Sequence, residues 1–240
     1  MIDLLIRGLS IHWDKISRES YLRKIPTVNS ITHIDFTNAV TIFTGENGTG
    51  KSTLLEAMAI AAGFNPEGGT RNYSFSTYDD YSELCNAITL VKGFRPIKWG
   101  YFLRAESFYN VATAEEIYGR HSLKGAEEYH KQSHGESFIS LVQKNFKVGG
   151  LYFMDEPEAA LSPQRQLGLL AEIDKCARTG AQFFIVTHSP ILLGIPDAEL
   201  ISFDGGRLHG CKYEDTASYR ITKLFMEERE RVLYELRRQE

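Results

Sequence analysis

Three short runs of the chain, residues 40–43, 151–154 and 183–186, are apolar in continuous fashion rather than at every second position, Thr41 being the one polar exception. A strand that is apolar on both faces belongs inside a parallel sheet covered on both sides. A fourth strand is expected in "KWGYFLRAE", residues 98–106. After the first run, Leu54, Leu55, Met58 and Ala62 fall at helical spacing, and so do Phe138, Leu141, Val142 and Phe146 within "FISLVQKNF". Residues 1–38 behave differently. Two β-rich runs, "DLLIRGLSI" and "SITHIDF", flank a polar, basic insert, which predicts an antiparallel β-subdomain. Residues 65–80 are rich in Gly, Asn, Ser and Thr and read as a loop. "ISFDGGRLHGC" predicts a late hairpin turning at Asp204-Gly205-Gly206. The last stretch predicts one charged amphipathic helix with Ile221, Leu224, Phe225, Val232 and Leu236 on or near one face.

The pattern therefore predicts one α/β domain over residues 1–240. Its parts are the β-subdomain (1–38), a strand and helix (39–64), a small helical lobe (about 105–148) and a C-terminal half (149–240). Helices flank a mostly parallel central sheet. At 42% hydrophobic and 24% charged residues the chain has the balance of a globular protein, and its formal charge of −4 supplies no global field toward nucleic acid. No apolar run approaches the ~20 residues of a membrane-spanning helix, and no leader pattern opens the sequence, so a cytoplasmic location is expected. Cys85, Cys176 and Cys211 form neither a metal-ligand spacing nor a disulfide framework.

Candidate chemistry begins where the first apolar run ends. Gly45-Glu46-Asn47-Gly48-Thr49-Gly50-Lys51-Ser52, followed by Thr53, fits the phosphate-loop pattern G-x-x-x-x-G-K-[ST] between a strand and a helix. Glycines let backbone N–H groups curl round a phosphate, and the helix that follows aims its positive end at the anion. Lys51 suits the β- and γ-phosphates, and the Ser52 hydroxyl suits Mg²⁺. The second run ends in Asp155-Glu156-Pro157, two acids at the C-terminal end of a buried strand, where ligands of open α/β sheets gather. Asp155 is placed to hold Mg²⁺ and Glu156 to polarise the water that attacks a γ-phosphate. The third run ends in Thr187-His188-Ser189-Pro190, which puts His188 on the same rim, able to contact the γ-phosphate. Trp13 or Tyr21 could stack on adenine, although an aromatic at such a position is more often core.

In order along the chain, "GENGTGKS", "SHGES", "LYFMDEPEAALSP" and "IVTHSP" resemble the motifs of the ATP-binding-cassette (ABC) ATPases. These are the phosphate loop, the signature, the carboxylate strand with its D-loop, and the switch histidine. The likeness is greatest to small stand-alone ATPases related to the recombination and SMC proteins. It implies a P-loop NTPase fold of the ABC type, ATP and Mg²⁺ as ligands, ATP hydrolysis, and a homodimer formed on ATP binding. Ser133, Gly135 and Glu136 would then be a diverged signature touching the γ-phosphate held by the other subunit. Ser133 stands 22 residues before Asp155, and His188 33 residues after it, both close to the family's intervals. Glu106, at the end of the strand in 98–106, would occupy the place of the family's Q-loop glutamine, holding water or Mg²⁺. A salt bridge with Arg104 is its plainer alternative. The D-loop's usual Asp is replaced by Ser162. The resemblance implies a motor or switch in DNA repair, recombination or defence, with DNA or another protein as candidate partner. The alternative is a subunit energising a separate membrane transporter, but only 27 residues separate Glu106 from Ser133, short for a lobe that docks on a permease.

Overall fold

The structure, a computed structural model, describes residues 3–70, 82–104, 142 and 144–238. In chain order its elements are β1 (Ile6–Ile11), α1 (Pro26–Asn29), β2 (His33–Asp35), β3 (Val40–Thr44), α2 (Lys51–Ala61), β4 (Gly69–Thr70), α3 (Leu84–Ala87) and β5 (Ile88–Lys92). They continue with β6 (Gly100–Arg104), β7 (Leu151–Asp155), α4 (Pro163–Arg178), β8 (Gln182–Val186), β9 (Glu199–Ser202), β10 (His209–Gly210), α5 (Ala217–Glu227) and α6 (Arg229–Arg237). The central sheet has the order β10-β9-β3-β8-β7-β6-β4. The five strands from β9 to β6 run parallel, and β10 and β4 are antiparallel edges. This is the mixed α/β architecture with a mostly parallel sheet that the apolar runs predict.

Both faces of the sheet are covered, and alternate residues of each strand serve different cores. Phe43, Phe153 and Phe184 point into a cluster with Leu54, Leu55 and Met58 of α2 and with Leu5, Ile6 and Leu9 of the β-subdomain. Their neighbours Ile42, Met154 and Ile185 point the other way, toward Leu169 and Ile173 of α4. Aromatic pairs lock adjacent strands on each face: Tyr152 stacks on Phe183 at 4.9 Å, and Phe153 on Phe184 at 5.3 Å. Each fully buried ring contributes about 1.5–3 kcal/mol by area alone. Of the residues assigned to the helix of "FISLVQKNF", Val142 is buried and Phe146 packs on Tyr152 and Phe183. Phe138 and Leu141 lie outside the described residues.

The antiparallel subdomain is a three-stranded sheet in the order β2-β1-β5. Only two of its strands come from residues 1–38. The third, β5, returns from beyond α2 and pairs with the whole of β1, a long-range partner that no local pattern announces. Between β1 and β2 the chain makes short 3-10 turns at Trp13–Lys15 and Tyr21–Lys24 before α1. Gln182 joins the two sheets: its buried amide accepts from the Ile6 N–H and donates to the Ile6 carbonyl, both at 2.8 Å.

α4 starts and stops where its sequence says. Ser162 caps the Arg165 N–H, Pro163 takes the first turn, and Gly180, at φ 89°, follows the C-terminus. The late hairpin forms, with His209 opposite Ser202. The single C-terminal helix does not: it breaks at Glu228 into α5 and α6. Neither buries a residue, so Ile221, Leu224 and Phe225 remain exposed rather than packed. Among the described residues no helix is long and apolar enough to cross a membrane.

Candidate functional site

The site forms at the C-terminal ends of β3, β7 and β8. β3 lies between β8 and β9, and its register with β8 runs Val40↔Phe183 to Phe43↔Val186, so the loops that leave these strands emerge side by side. Gly45, Gly48 and Gly50 all have positive φ (135°, 79° and 93°), which lets residues 45–50 curl before α2. Gly50 has a second reason to be glycine, because a Cβ there would stand 2.3 Å from Val28 Cγ2 of α1. Glu46, Asn47 and Gly48 are exposed, Thr49 and Thr53 half-buried, and Thr49 Oγ1 donates to the Glu46 carbonyl at 2.8 Å.

Lys51, only 4% exposed, curls back over the loop, and Nζ donates to the carbonyls of Gly45 and Glu46, each at 2.7 Å. Burial pushes the Lys51 ammonium below its usual value of 10.5, while Glu156, Asp204, Asp155 and Glu46 pull the other way. Four carboxylates around one buried cation make a centre whose charge balance a polyphosphate would change. Ser52 Oγ donates to Asp155 Oδ1 at 2.9 Å, joining the first turn of α2 to the end of β7 across 103 residues.

After Asp155 the chain turns sharply. Glu156 is left-handed, at φ 47° and ψ 52°, a conformation that costs a non-glycine residue about 1–2 kcal/mol. Its N–H still pairs with the Val186 carbonyl at 2.9 Å, and Pro157 then opens a 3-10 turn to Ala160. The Glu156 side chain, 46% exposed, faces His188: Oε1 lies 3.9 Å from Nε2, beyond hydrogen-bond reach. That Nε2 is shielded from solvent and has no hydrogen-bond partner among the described residues. Lys51, Ser52, Asp155, Glu156 and His188, taken from three segments of the sequence, thus share one rim.

Two residues of this rim carry interactions that the sequence reading missed. Asp204, read only as a turn residue, follows β9 beside the phosphate loop; its Oδ1 accepts the Glu46 N–H at 2.8 Å. A Cβ on Gly45 would approach the same oxygen to 2.9 Å. Glu158 accepts the N–H groups of His188 and Ser189 on Oε1, at 2.7 and 3.1 Å. The local signals, Asp before two glycines and a second Glu after Pro157, do not say which distant backbone each carboxylate will meet.

Trp13 is engaged elsewhere. Its indole N–H donates to the Ile31 carbonyl at 2.7 Å, Arg23 covers the ring at 5.2 Å, and the side chain packs on the core. The Tyr21 hydroxyl donates to Ser82 Oγ at 3.2 Å. Arg104, the partner suggested for Glu106, pairs with Glu56 of α2 at 3.0 Å and donates to the Pro66 carbonyl. Glu106 itself, and Ser133, Gly135 and Glu136 of the signature, lie outside the described residues. Ser162, at the D-loop position, serves as the cap of α4.

A glycine-turned loop between a parallel strand and a helix, with a carboxylate from the neighbouring motif hydrogen-bonded to its serine, defines a P-loop nucleotide-binding protein. Two protein-family models match adjoining stretches: one described as "AAA domain" over residues 21–136, the other as "AAA domain, putative AbiEii toxin, Type IV TA system" over residues 137–194. Both stretches thus match models described as AAA domains, which together span residues 21–194. No curated protein matches it. Among solved structures it is similar to the ADP conformation of MJ1267, an ATP-binding cassette of an ABC transporter, at 15% identity over 96% of this chain and 98% of that one, with a TM-score of 0.48. It is also similar to the SMC head domain from Thermotoga maritima, at 14% identity over 87% and 98% of the two chains, TM-score 0.47. A nucleotide-free ATP-binding cassette from an ABC transporter shows 16% identity over 85% and 89%, TM-score 0.48.

Proposed function

We propose that the protein binds Mg-ATP and hydrolyses it to ADP and phosphate, as a switch whose sites are completed by a second copy of the chain. The observation that carries this reading is the Ser52–Asp155 hydrogen bond at 2.9 Å, with Lys51 and Glu156 as the adjoining residues. It brings two hard oxygen donors together beside the phosphate loop, a donor set that fits Mg²⁺. Ser52 and Asp155 would hold the ion, with Glu106 as a further candidate for it or its water. Bound there, Mg²⁺ would offset the negative charge of the phosphates.

The loop N–H groups and Lys51 hold the phosphates, and Lys51 exchanges its loop carbonyls for them. Glu156 accepts hydrogen-bonding from the attacking water and orients it toward the γ-phosphate. His188 contacts the γ-phosphate from the same rim. Ser133, Gly135 and Glu136 of the second copy close the site over it. The toxin–antitoxin description of the family model over 137–194 supports a role in defence, and stimulation of hydrolysis by DNA would separate a DNA-directed cycle from a protein-directed one.

The test pairs hydrolysis with solution mass. Glu156→Gln is expected to keep ATP affinity and lose about 10²–10⁴-fold in kcat, and light scattering should show it as a dimer only with Mg-ATP. Adding Ser133→Arg should return the monomer. Undiminished hydrolysis by Glu156→Gln would remove Glu156 from its role, and a monomer throughout would remove the composite site.

A further inference from the structure

The sequence Glu156-Pro157-Glu158 puts two carboxylates on one turn, and the structure gives them different surroundings. Glu156 faces outward toward His188. Glu158 reaches back beneath the start of the loop that follows β8, and a single oxygen, Oε1, accepts both the His188 N–H (2.7 Å) and the Ser189 N–H (3.1 Å). Its other oxygen, Oε2, is shielded from solvent and has no hydrogen-bond partner among the described residues. A carboxylate held in that way makes charge-assisted bonds to main-chain donors, about twice as strong as neutral ones. The rest of the loop is tied down independently. Ser189 Oγ donates to Gln166 Oε1 of α4 at 2.5 Å and accepts the N–H groups of Ile191 and Leu192. Thr187 Oγ1 accepts the Ser189 N–H. Glu158 alone, among the described residues, is shown fixing the His188 N–H with a side chain.

The anchor and the reacting group share one short rigid piece of backbone. The left-handed Glu156 and the ring of Pro157 lock the 3-10 turn from Pro157 to Ala160, so Glu156 and Glu158 move together. Holding the His188 backbone from Glu158 therefore fixes the His188 ring relative to Glu156, across the 3.9 Å that separates Nε2 from Oε1.

We propose that Glu158 is a positioning residue for hydrolysis: through the two main-chain N–H groups it sets where His188 stands relative to Glu156. The inference rests on the hydrolytic reading of this site. Misplacement of a reacting group by about 1 Å can cost on the order of 100-fold in rate, whereas Glu158 is shown bonded to the loop after β8 and not to Lys51 or the phosphate loop, which carry the ground-state hold on the phosphates in this reading. Its loss should thus appear in kcat and not in ATP affinity.

The experiment compares the wild type with Glu158→Ala, Glu158→Gln, His188→Ala and the double variant Glu158→Ala/His188→Ala, all as the full chain. Mg-ATP affinity and single-turnover hydrolysis are measured for each. Glu158→Ala is expected to lose about 10- to 100-fold in rate, with ATP affinity within about threefold of the wild type. Glu158→Gln, which keeps an acceptor oxygen, should recover most of that rate. The double variant should be no slower than His188→Ala, because a residue acting through His188 has nothing left to position. An equal rate loss from Glu158→Ala in both backgrounds, or a Glu158→Gln as slow as Glu158→Ala, would overturn the proposal. Should Glu158→Ala fail to fold, the rate of Glu158→Gln decides. A wild type without turnover would sink the hydrolytic reading instead. Hydrogen exchange at His188 and Ser189 then judges the anchor: faster exchange in Glu158→Ala but not in Glu158→Gln supports it, and unchanged exchange in both rejects it.

Discussion

The two halves of the site are built in opposite ways. In the phosphate-loop half the polar groups satisfy one another: the Lys51 ammonium bonds two carbonyls of its own loop, the Ser52 hydroxyl bonds Asp155, and Asp204 takes the Glu46 N–H. On the β7–β8 rim the backbone is anchored while the reactive atoms are left apart, with Glu156 Oε1 and His188 Nε2 facing each other at 3.9 Å. On the proposed reading, a nucleotide entering the first half would replace existing hydrogen bonds, so affinity there is an exchange of partners. In the second half nothing need be exchanged; what matters is where two side chains are held. The first half should therefore respond to mutation in affinity, and the second in rate.

Lys51→Ala is the strongest challenge to that division from the first half. Removing a charged donor should weaken ATP binding on the order of 100-fold, measured by titration with a fluorescent ATP analogue; a loss confined to kcat would dissolve the contrast. Asp204 gives a smaller and more discriminating effect. Asp204→Ala removes the acceptor for the Glu46 N–H, worth about 1 kcal/mol or several-fold in affinity, but it also removes a negative charge from beside a polyanion site. Asp204→Asn keeps an acceptor without the charge and should bind ATP at least as tightly as the wild type. If alanine binds as tightly as asparagine, the charge and not the hydrogen bond is what Asp204 contributes.

The same division governs what could be read from the sequence. Residues 45–52 are contiguous, and every feature that shapes the loop, glycines at positive φ followed by a helix start, is written locally. The three buried strands were equally legible, because residues covered on both faces need no alternation. What stayed hidden was contact at long range: β5 returning to complete the N-terminal sheet, Asp204 crossing 158 residues to Glu46, and Glu158 meeting His188 and Ser189 from 30 and 31 residues away. The C-terminal prediction failed for a related reason. Apolar residues at helical spacing imply a covered face only if another element packs there, and neither α5 nor α6 buries one. For Trp13 the plainer reading as a core aromatic is the one the structure shows, and nothing local in the sequence marks that ring as held by Ile31 and Arg23.

The smallest predicted effect concerns the Lys51 charge alone. Burial is the largest influence on this ammonium and lowers its pKa from 10.5 in the folded chain, against the pull of Glu156, Asp204, Asp155 and Glu46. Between the lowered folded value and 10.5 the unfolded chain binds more protons at this position than the native one. By linkage the Lys51 contribution to stability therefore rises with pH through that window; below it, both states are charged and the native state bears the full cost of burial. Lys51→Met keeps most of the side-chain bulk and has no proton to lose, so it removes this dependence and leaves every other titration in place. Denaturant midpoints of the two proteins, compared as alkaline pH approaches 10.5, should move in favour of the wild type. A difference that stays flat would mean that the surrounding carboxylates fully offset burial. A shift toward the variant would mean that they outweigh it, and that the phosphate-loop half is held together by charge rather than by the hydrogen bonds of its own backbone.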